Sequence, residues 1–262
     1  MEIIKAIIFG ITQGITEFIP VSSSGHLVIL HDLFVLPIKN DLVFDVILHL
    51  ATILAVLIYF WRDIALILKN LLNRKDKIAW YIIIATIPAA IIGFLGEDII
   101  TFYFRSSYVV IAMLIIVGVL FFVGEKLGKQ MKDYQELTWK TALLIGLFQA
   151  IALIPGTSRS GITIVAGLLV GLKRQAAIKF SFLISLPIIL GANLFKLPDL
   201  LASGLGTSEY IVLLVAFLAA LFSGYMAIKY FLRFSARYSL HVFAYYRFAL
   251  ALALAGYLWW IM

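Results

Sequence analysis

Long apolar runs, interrupted at regular intervals by short polar stretches, set the pattern of this chain. The segments Ile78–Gly96, Ser106–Gly124, Phe180–Phe195 and Tyr210–Ile228 carry no charged side chain. Most of them approach the roughly 20 residues that a helix needs to cross about 30 Å of hydrocarbon. Leu42–Trp61 and Val242–Met262 complete six predicted crossings. Aromatic clusters at span ends, Tyr59-Phe60-Trp61 and Tyr257-Leu258-Trp259-Trp260, match the interfacial belts of helical membrane proteins. A transmembrane β-barrel would need short alternating segments, and the sequence has none.

Two stretches do not fit as simple crossings. Met1 to Leu36 and Leu137 to Leu172 each read as two apolar helices of modest length joined by a polar turn. The turns are Ile19-Pro20-Val21-Ser22-Ser23-Ser24-Gly25-His26 and Ile154-Pro155-Gly156-Thr157-Ser158-Arg159-Ser160-Gly161. Each stretch is expected to enter and leave the membrane on one side, as a re-entrant helical hairpin, the first from outside and the second from inside, with tips that could meet at mid-membrane. Non-helical backbone at that depth is tolerated only where protein or a wet cavity surrounds it.

The chain also aligns with itself. An offset of 136 pairs Gly10 with Gly146, Gln13 with Gln149, Ser22 with Ser158, Ser24 with Ser160, Gly25 with Gly161, Phe44 with Phe180 and Leu50 with Leu186. The expected fold class is therefore an all-α polytopic membrane protein with six transmembrane helices and two re-entrant hairpins. It forms one integral membrane domain, 1–262, with repeat one about 1–128 and repeat two about 137–262. One hairpin and three crossings per half turn the second half upside down, an inverted-topology repeat.

Composition agrees: 63% hydrophobic and 13% charged residues, with a mean hydropathy of +1.07, exclude a water-soluble globule. The absence of cysteine removes disulfides, thiolate metal sites and thiol nucleophiles. The N-terminal apolar run is broken by Thr12, Gln13, Thr16 and Glu17 and reads as mature structure rather than a cleaved signal. The net charge of +7 does not point to nucleic acid, because the basic residues sit in short loops between spans. Those loops set orientation by the positive-inside rule. Arg62, Lys69, Arg74, Lys75 and Lys77, then Lys126, Lys129 and Lys132, then Lys173 and Arg174, then Arg233 and Arg237 belong inside. The connections at Glu97-Asp98 and from Pro198-Asp199 to Glu209 belong outside, and so do both termini, in the plasma or inner membrane.

The polar turns carry the candidate chemistry, because hydroxyls, a histidine and an arginine are costly in hydrocarbon unless they line a cavity or meet a partner. Gln13 and Glu17, four apart, project from one helix face with Thr16 beside them. Gly10 and Gly14 form a G-x-x-x-G pair that permits close helix packing. Ser22, Ser23 and Ser24 would stand at the next helix's N-terminus, with Gly25 following and His26 in its first turn. Such a terminus offers free N–H groups and a positive dipole end to a phosphate or carboxylate. The second turn adds Thr157, Ser158, Ser160, Gly161 and the guanidinium of Arg159, whose planar fork matches phosphate oxygens. Plainer readings stand beside these: a snorkelling Glu17, serines that only cap, an internally bonded His26, and a Glu17–Arg159 salt bridge that only joins the hairpins. Asp45, His49 and Arg247 read as structural or interfacial.

The run Gln13-x-x-x-Glu17, Pro20-Val21-Ser22-Ser23-Ser24-Gly25-His26, and later Pro155-Gly156-Thr157-Ser158-Arg159-Ser160-Gly161-Ile162-Thr163, resembles the undecaprenyl-diphosphate phosphatase family, also called bacitracin-resistance proteins. The resemblance covers essentially the whole chain, including Phe44-Asp45 and Phe60-Trp61-Arg62. It implies hydrolysis of undecaprenyl diphosphate to the monophosphate carrier lipid and inorganic phosphate, with the polyprenyl tail in the bilayer. The family's first motif begins with glutamate or glutamine; glutamine here removes a second carboxylate from metal ligation.

On this reading Glu17, Ser23, His26 and Arg159 are the catalytic candidates. Gln13, Ser22, Ser24, Gly25, Thr157, Ser158, Ser160, Gly161 and Thr163 are the substrate-binding ones. Arg159, with Ser158, Ser160 and turn N–H groups, would clamp the diphosphate and stabilise charge on the transferred phosphoryl group. Glu17, with or without Gln13, would hold a divalent cation, Mg²⁺ or Ca²⁺, or act as base. Ser23, His26 and water remain open as nucleophile. The implied partners are the lipid substrate and the bilayer; a homodimer is left open. A lipid flippase or small-anion transporter without hydrolysis is the alternative. The membrane acid phosphatases that use Pro-Ser-Gly-His and Ser-Arg motifs also need an upstream Lys and Arg-Pro pair, and a histidine shortly after Ser-Arg, that this chain lacks.

Overall fold

The computed structural model describes residues 1–34, 41–72, 77–104, 106–202 and 206–261. Leu36, Arg74, Lys75 and Met262, named above, lie outside these residues. The chain forms eleven helices among them: α1 (Glu2–Phe18), α2 (Ser23–Leu33), α3 (Asp41–Tyr59), α4 (Trp61–Leu72), α5 (Ile78–Phe104), α6 (Ser107–Leu127), α7 (Trp139–Ile151), α8 (Arg159–Leu169), α9 (Arg174–Ala202), α10 (Thr207–Ser235) and α11 (His241–Ile261). No named strand occurs among the described residues; one isolated bridge joins Lys132 to Leu172.

Five helical stretches are long and apolar enough to cross a membrane: Ile78–Gly96, Ser107–Leu127, Arg174–Lys196, Glu209–Ser235 and His241–Trp260. A sixth is counted if Val43–Tyr59 and Trp61–Leu71, bent by 78°, are taken as one broken span. The outer surface is apolar. Leu95, Phe102 and Leu252 are 74%, 80% and 74% exposed, which water would penalise and lipid does not. The protein is thus an all-α, multi-pass membrane protein.

Three element boundaries differ from the sequence expectation. The first predicted span ends at Tyr59 rather than Trp61, and the basic stretch after it is not a loop but the amphipathic helix α4, with Arg62, Asp63, Lys69 and Asn70 among leucines and isoleucines. Asp63 anchors α4 to α9 through Lys179 at 2.6 Å. The connection expected at Glu97-Asp98 lies inside α5, and the one expected at Pro198-Asp199 lies inside α9, which continues through Pro187 and Pro198. Proline interrupts a helix less where neighbouring helices re-satisfy the freed carbonyls.

Packing places the polar turns inside. α1 lies along α10, α7 along α5, α3 against α9 and α10, and α6 against α11 and α8. The α1–α10 seam needs a missing side chain at two positions one turn apart, Gly10 and Gly14. A Cβ on Gly14 would collide with Ser223 Oγ and the Ala220 carbonyl oxygen. Gly14→Ala is expected to destabilise the protein by about 1–3 kcal/mol, as overpacking does; a thermal unfolding midpoint in detergent that equals wild type would refute the close seam. At the other end of the bundle Glu125 joins three elements. It receives Arg174 Nε at 2.8 Å, Gln130 Nε2 at 3.0 Å and the Leu240 N–H at 2.9 Å.

The two hairpin-forming pairs match in detail. Moving the bounds of α2 by 136 positions gives Arg159 and Leu169, the bounds of α8. Ser22 and Ser158, the residues before those helices, have φ of 76° and 70°. The hydroxyl of each lies 3.3 Å from that of the serine two residues on, Ser24 and Ser160.

Candidate active site

Each turn is built by local sequence. Ile19 precedes Pro20, which disfavours helical backbone, and α1 accordingly ends with Ile19 extended at φ −68° and ψ 133°. In the second turn Gly156 has φ +87°, and a Cβ there would lie 2.6 Å from the Val110 carbonyl oxygen. Only glycine fits on both counts. Ser22 and Ser158 occupy left-handed backbone that non-glycine residues rarely adopt, and such strain gathers at functional sites.

Glu17 is the point of convergence. Its carboxylate is 7% exposed. Oε1 accepts from Arg159 Nη2 at 2.8 Å, and Oε2 accepts from Ser23 Oγ at 2.8 Å and Gln13 Nε2 at 3.1 Å. His49 Nε2 stands 3.8 Å from the same oxygen. The structure therefore brings together Gln13, Glu17 and Ser23 from the first hairpin and Arg159 from the second. The salt bridge weighed above as a plain alternative exists, but it does not use up the guanidinium. Nη1 donates to the Ser181 carbonyl at 3.2 Å, while Nε is buried without a hydrogen-bond partner. An uncompensated charged donor in a dry site is costly, and an anion would relieve it.

The remaining turn residues divide by accessibility. Ser24 is exposed and His26 half-buried, whereas Ser22, Thr157, Ser158, Ser160, Gly161 and Thr163 are buried. Thr157 Oγ1 donates to the Ile151 carbonyl at 3.2 Å. Ser158 Oγ accepts from the Gly161 N–H at 3.2 Å, whereas Ser22 makes no such side-chain cap. Thr163 Oγ1 lies 2.8 Å from the Arg159 carbonyl and 2.7 Å from Ser181 Oγ. Gly25 is buried at the start of α2. His26 stands apart from the Glu17 cluster. Its Nδ1 lies 2.7 Å from the Ser22 carbonyl, which can only accept, so Nδ1 carries the proton and Nε2 accepts from Tyr246 Oη at 2.7 Å.

Sequence reasoning passed over Ser181 and Tyr246 and read His49 and Arg247 as structural or interfacial; the structure places all four at the turns. The sequence around His49 carries no signal of this, because its approach to Glu17 joins α3 to α1, a contact between elements. Arg247 is fully buried, which removes the interfacial reading and leaves the structural one. Its charge is solvated by five main-chain carbonyls: Met113, Leu114, Pro20, Gly156 and Thr157, at 2.9–3.3 Å.

Among the described residues no group of three or more His, Asp or Glu is placed to hold a metal. Glu17 does have a second oxygen donor beside it. Gln13 spends its amide N–H₂ on Glu17 and leaves Oε1 buried without a partner. One carboxylate and one orphaned amide oxygen suit Mg²⁺ or Ca²⁺ when phosphate oxygens and water supply the other ligands.

A family model described as bacitracin resistance protein BacA matches residues 6–253. An undecaprenyl-diphosphatase of Rubrobacter xylanophilus is 44% identical over 98% of this chain and 99% of that protein. Another from Halothermothrix orenii is 44% identical over 94% of both chains. Undecaprenyl-diphosphatase 1 of Pseudoalteromonas translucida is 40% identical over 98% of this chain and 99% of its own length.

Proposed function

The chain belongs to the bacitracin resistance protein BacA family, and from that membership we propose that it hydrolyses undecaprenyl diphosphate to undecaprenyl phosphate and inorganic phosphate, returning carrier lipid to cell-envelope synthesis. The observation that carries the reading at the level of residues is the convergence of Ser23, Gln13 and Arg159 on the buried Glu17 carboxylate. Transport alone would not need a hydroxyl hydrogen-bonded to a carboxylate beside an anion-seeking arginine.

The chemistry follows from the donors. Ser23 Oγ attacks the terminal phosphorus and passes its proton to Glu17 Oε2, 2.8 Å away. The bond to the bridging oxygen breaks and undecaprenyl phosphate leaves with the electron pair. Water then attacks the phosphoserine phosphorus, the P–Oγ bond breaks and Glu17 returns its proton to Oγ, releasing phosphate and restoring both the hydroxyl and the carboxylate. Arg159 stabilises the charge on the transferred group through the donor it holds free, with the N–H groups at the starts of α2 and α8 beside it. Ser24 and His26, at the accessible rim of the first turn, meet the rest of the diphosphate. The buried Ser22, Thr157, Ser158, Ser160, Gly161 and Thr163 shape the cradle. A Mg²⁺ or Ca²⁺ held by Glu17 and Gln13 Oε1 would neutralise phosphate charge.

The architecture belongs to the same proposal: two inverted halves, about 1–128 and 137–262, each one re-entrant hairpin and three crossings, with α3 as the sixth and the basic amphipathic α4 following it on the inner side. The packing supports it. α1 pairs with α10 and its counterpart α7 pairs with α5, the counterpart of α10, while α3 with α9 and α6 with α11 are pairs of counterparts. A two-fold relation between halves requires this exchange. The basic loops then lie inside, both termini outside, in the plasma or inner membrane. A homodimer would leave this arrangement unchanged, since both turns come from one chain.

The test is phosphate release from a long-chain polyprenyl diphosphate by purified protein in detergent, with and without chelator. Activity that chelator abolishes and added Mg²⁺ or Ca²⁺ restores is expected; a folded wild type that releases no phosphate would turn the reading toward a transporter. Acid-stable phosphate trapped on the protein is expected from Ser23, and acid-labile phosphate would transfer the nucleophile's role to His26.

A further inference from the structure

We infer that Arg247, on α11, is a positioning residue that holds the two hairpin turns in catalytic register. The guanidinium is fully buried. Its partners are all carbonyl oxygens: Leu114 at 3.1 Å from Nε, Pro20 at 3.3 Å from Nη1, and Met113, Gly156 and Thr157 at 3.0, 2.9 and 3.1 Å from Nη2. No carboxylate offsets the charge among the described residues. Burying an arginine this way costs several kcal/mol before its hydrogen bonds are made. Four N–H groups meet these five carbonyls, the two on Nη2 being shared among three of them, and the charge-assisted bonds offset that cost while fixing the direction of the peptide groups.

The choice of peptides gives the arginine its role. Pro20 lies three residues before Ser23, and Thr157 lies two before Arg159. One planar fork therefore grips the main chain just upstream of both groups that meet on Glu17. Met113 and Leu114 lie on α6, which also packs against α8, so the fork is referenced to a third element. The Thr157 carbonyl is aimed at Arg247, so the Ser158 N–H of that trans peptide points the opposite way, next to the left-handed Ser158. The neighbouring Tyr246 sends its hydroxyl to His26 Nε2, with the two rings stacked at an interplanar angle of 9°. Consecutive residues of α11 thus reach the main chain of both turns and the His26 side chain. Arg247 acts through Ser23 and Arg159, and the hydrogen bonds described for it leave no need for substrate contact.

Lysine at this position keeps the charge but presents three donors from a single point, which cannot span five carbonyls in a plane. A displacement of about 1 Å between the turns would lower the chemical step by roughly a hundredfold without removing a binding group. The inference rests on the hydrolase reading, which the wild-type rate in the same preparation tests separately. The experiment measures kcat and KM of Arg247→Lys and Arg247→Met on the monodisperse fraction in detergent, beside their unfolding midpoints. Expected is a fall in kcat of about tenfold to a hundredfold in Arg247→Lys, with KM within about threefold of wild type and the fold retained. Folded Arg247→Lys with wild-type kcat would overturn the inference. So would a loss expressed mainly as a raised KM, which would make Arg247 a substrate ligand. If Arg247→Met does not fold, the lysine variant decides alone.

Discussion

Glu17→Gln is expected to lower kcat by about a thousandfold or more, the loss typical of removing a group on which several catalytic donors depend. Glutamine has nearly the same shape, so the change removes charge and basicity rather than volume. It cannot take the proton of Ser23, whose hydroxyl donates to Oε2 at 2.8 Å. It also strips Arg159 of its carboxylate partner in a buried setting, where breaking an ion pair costs about 3–5 kcal/mol. The unfolding midpoint should therefore fall as well, and kcat must be read on protein shown to be folded. A folded Glu17→Gln enzyme within about tenfold of wild type would remove Glu17 from the chemistry and leave it a hairpin tie. The magnitude separates this variant from Ser23→Ala, which leaves the Glu17–Arg159 pair intact and should cost activity without the same cost in stability.

How much of this was legible in the sequence depends on the distance over which each feature is encoded. Uncharged runs of about span length gave the crossing helices, because a bilayer imposes length and apolarity locally. The α1–α10 seam was signalled by Gly10 and Gly14, since only a missing side chain lets helices approach so closely. The cluster was readable where it is local: Gln13 and Glu17 share a helix face, and the turn motifs announce themselves as polar islands. Contacts between elements were not readable. Nothing in the pattern near His49 or Ser181 says that α3 and α9 bring them to Glu17 and Arg159. Arg247 read as structural or interfacial, and the sequence could not decide between the two because its five carbonyl partners come from segments 90 to 227 residues away. The bend at Phe60 and the continuation of α9 through Pro198 are tertiary outcomes of the same kind, decided by what packs alongside.

The charge arrangement at the turns follows one physical logic. Glu17 and Arg159 cancel each other, while Arg247 is solvated by carbonyl dipoles alone, which leaves the buried region with a surplus positive charge. Low dielectric keeps that surplus unscreened. An entering diphosphate is attracted to it and can draw Arg159 partly away from Glu17, freeing the carboxylate for a proton or a cation. On the proposed reading, Glu17 and Arg159, paired at 2.8 Å, would take up different tasks once the diphosphate enters.

That exchange predicts the behaviour of Arg159 itself. Arg159→Ala should lose about 10³ to 10⁵ in kcat, the range seen when an arginine that stabilises phosphoryl transfer is removed. Arg159→Lys is the sharper variant. The arginine divides its fork between Glu17 at 2.8 Å and the Ser181 carbonyl at 3.2 Å, and still holds Nε unpartnered. Lysine keeps the charge and can reach Glu17, but its single nitrogen cannot hold α9 and a phosphate oxygen at once. Its kcat should stay more than about tenfold below wild type, with a raised KM because substrate then competes with Glu17 for one ammonium group. Steady-state kinetics with a long-chain polyprenyl diphosphate measure both effects. Full activity in Arg159→Lys would mean that charge alone suffices and that the fork geometry is structural. Full activity in a folded Arg159→Ala would take the second turn out of the chemistry, leaving Glu17 and Ser23 to act from the first hairpin alone.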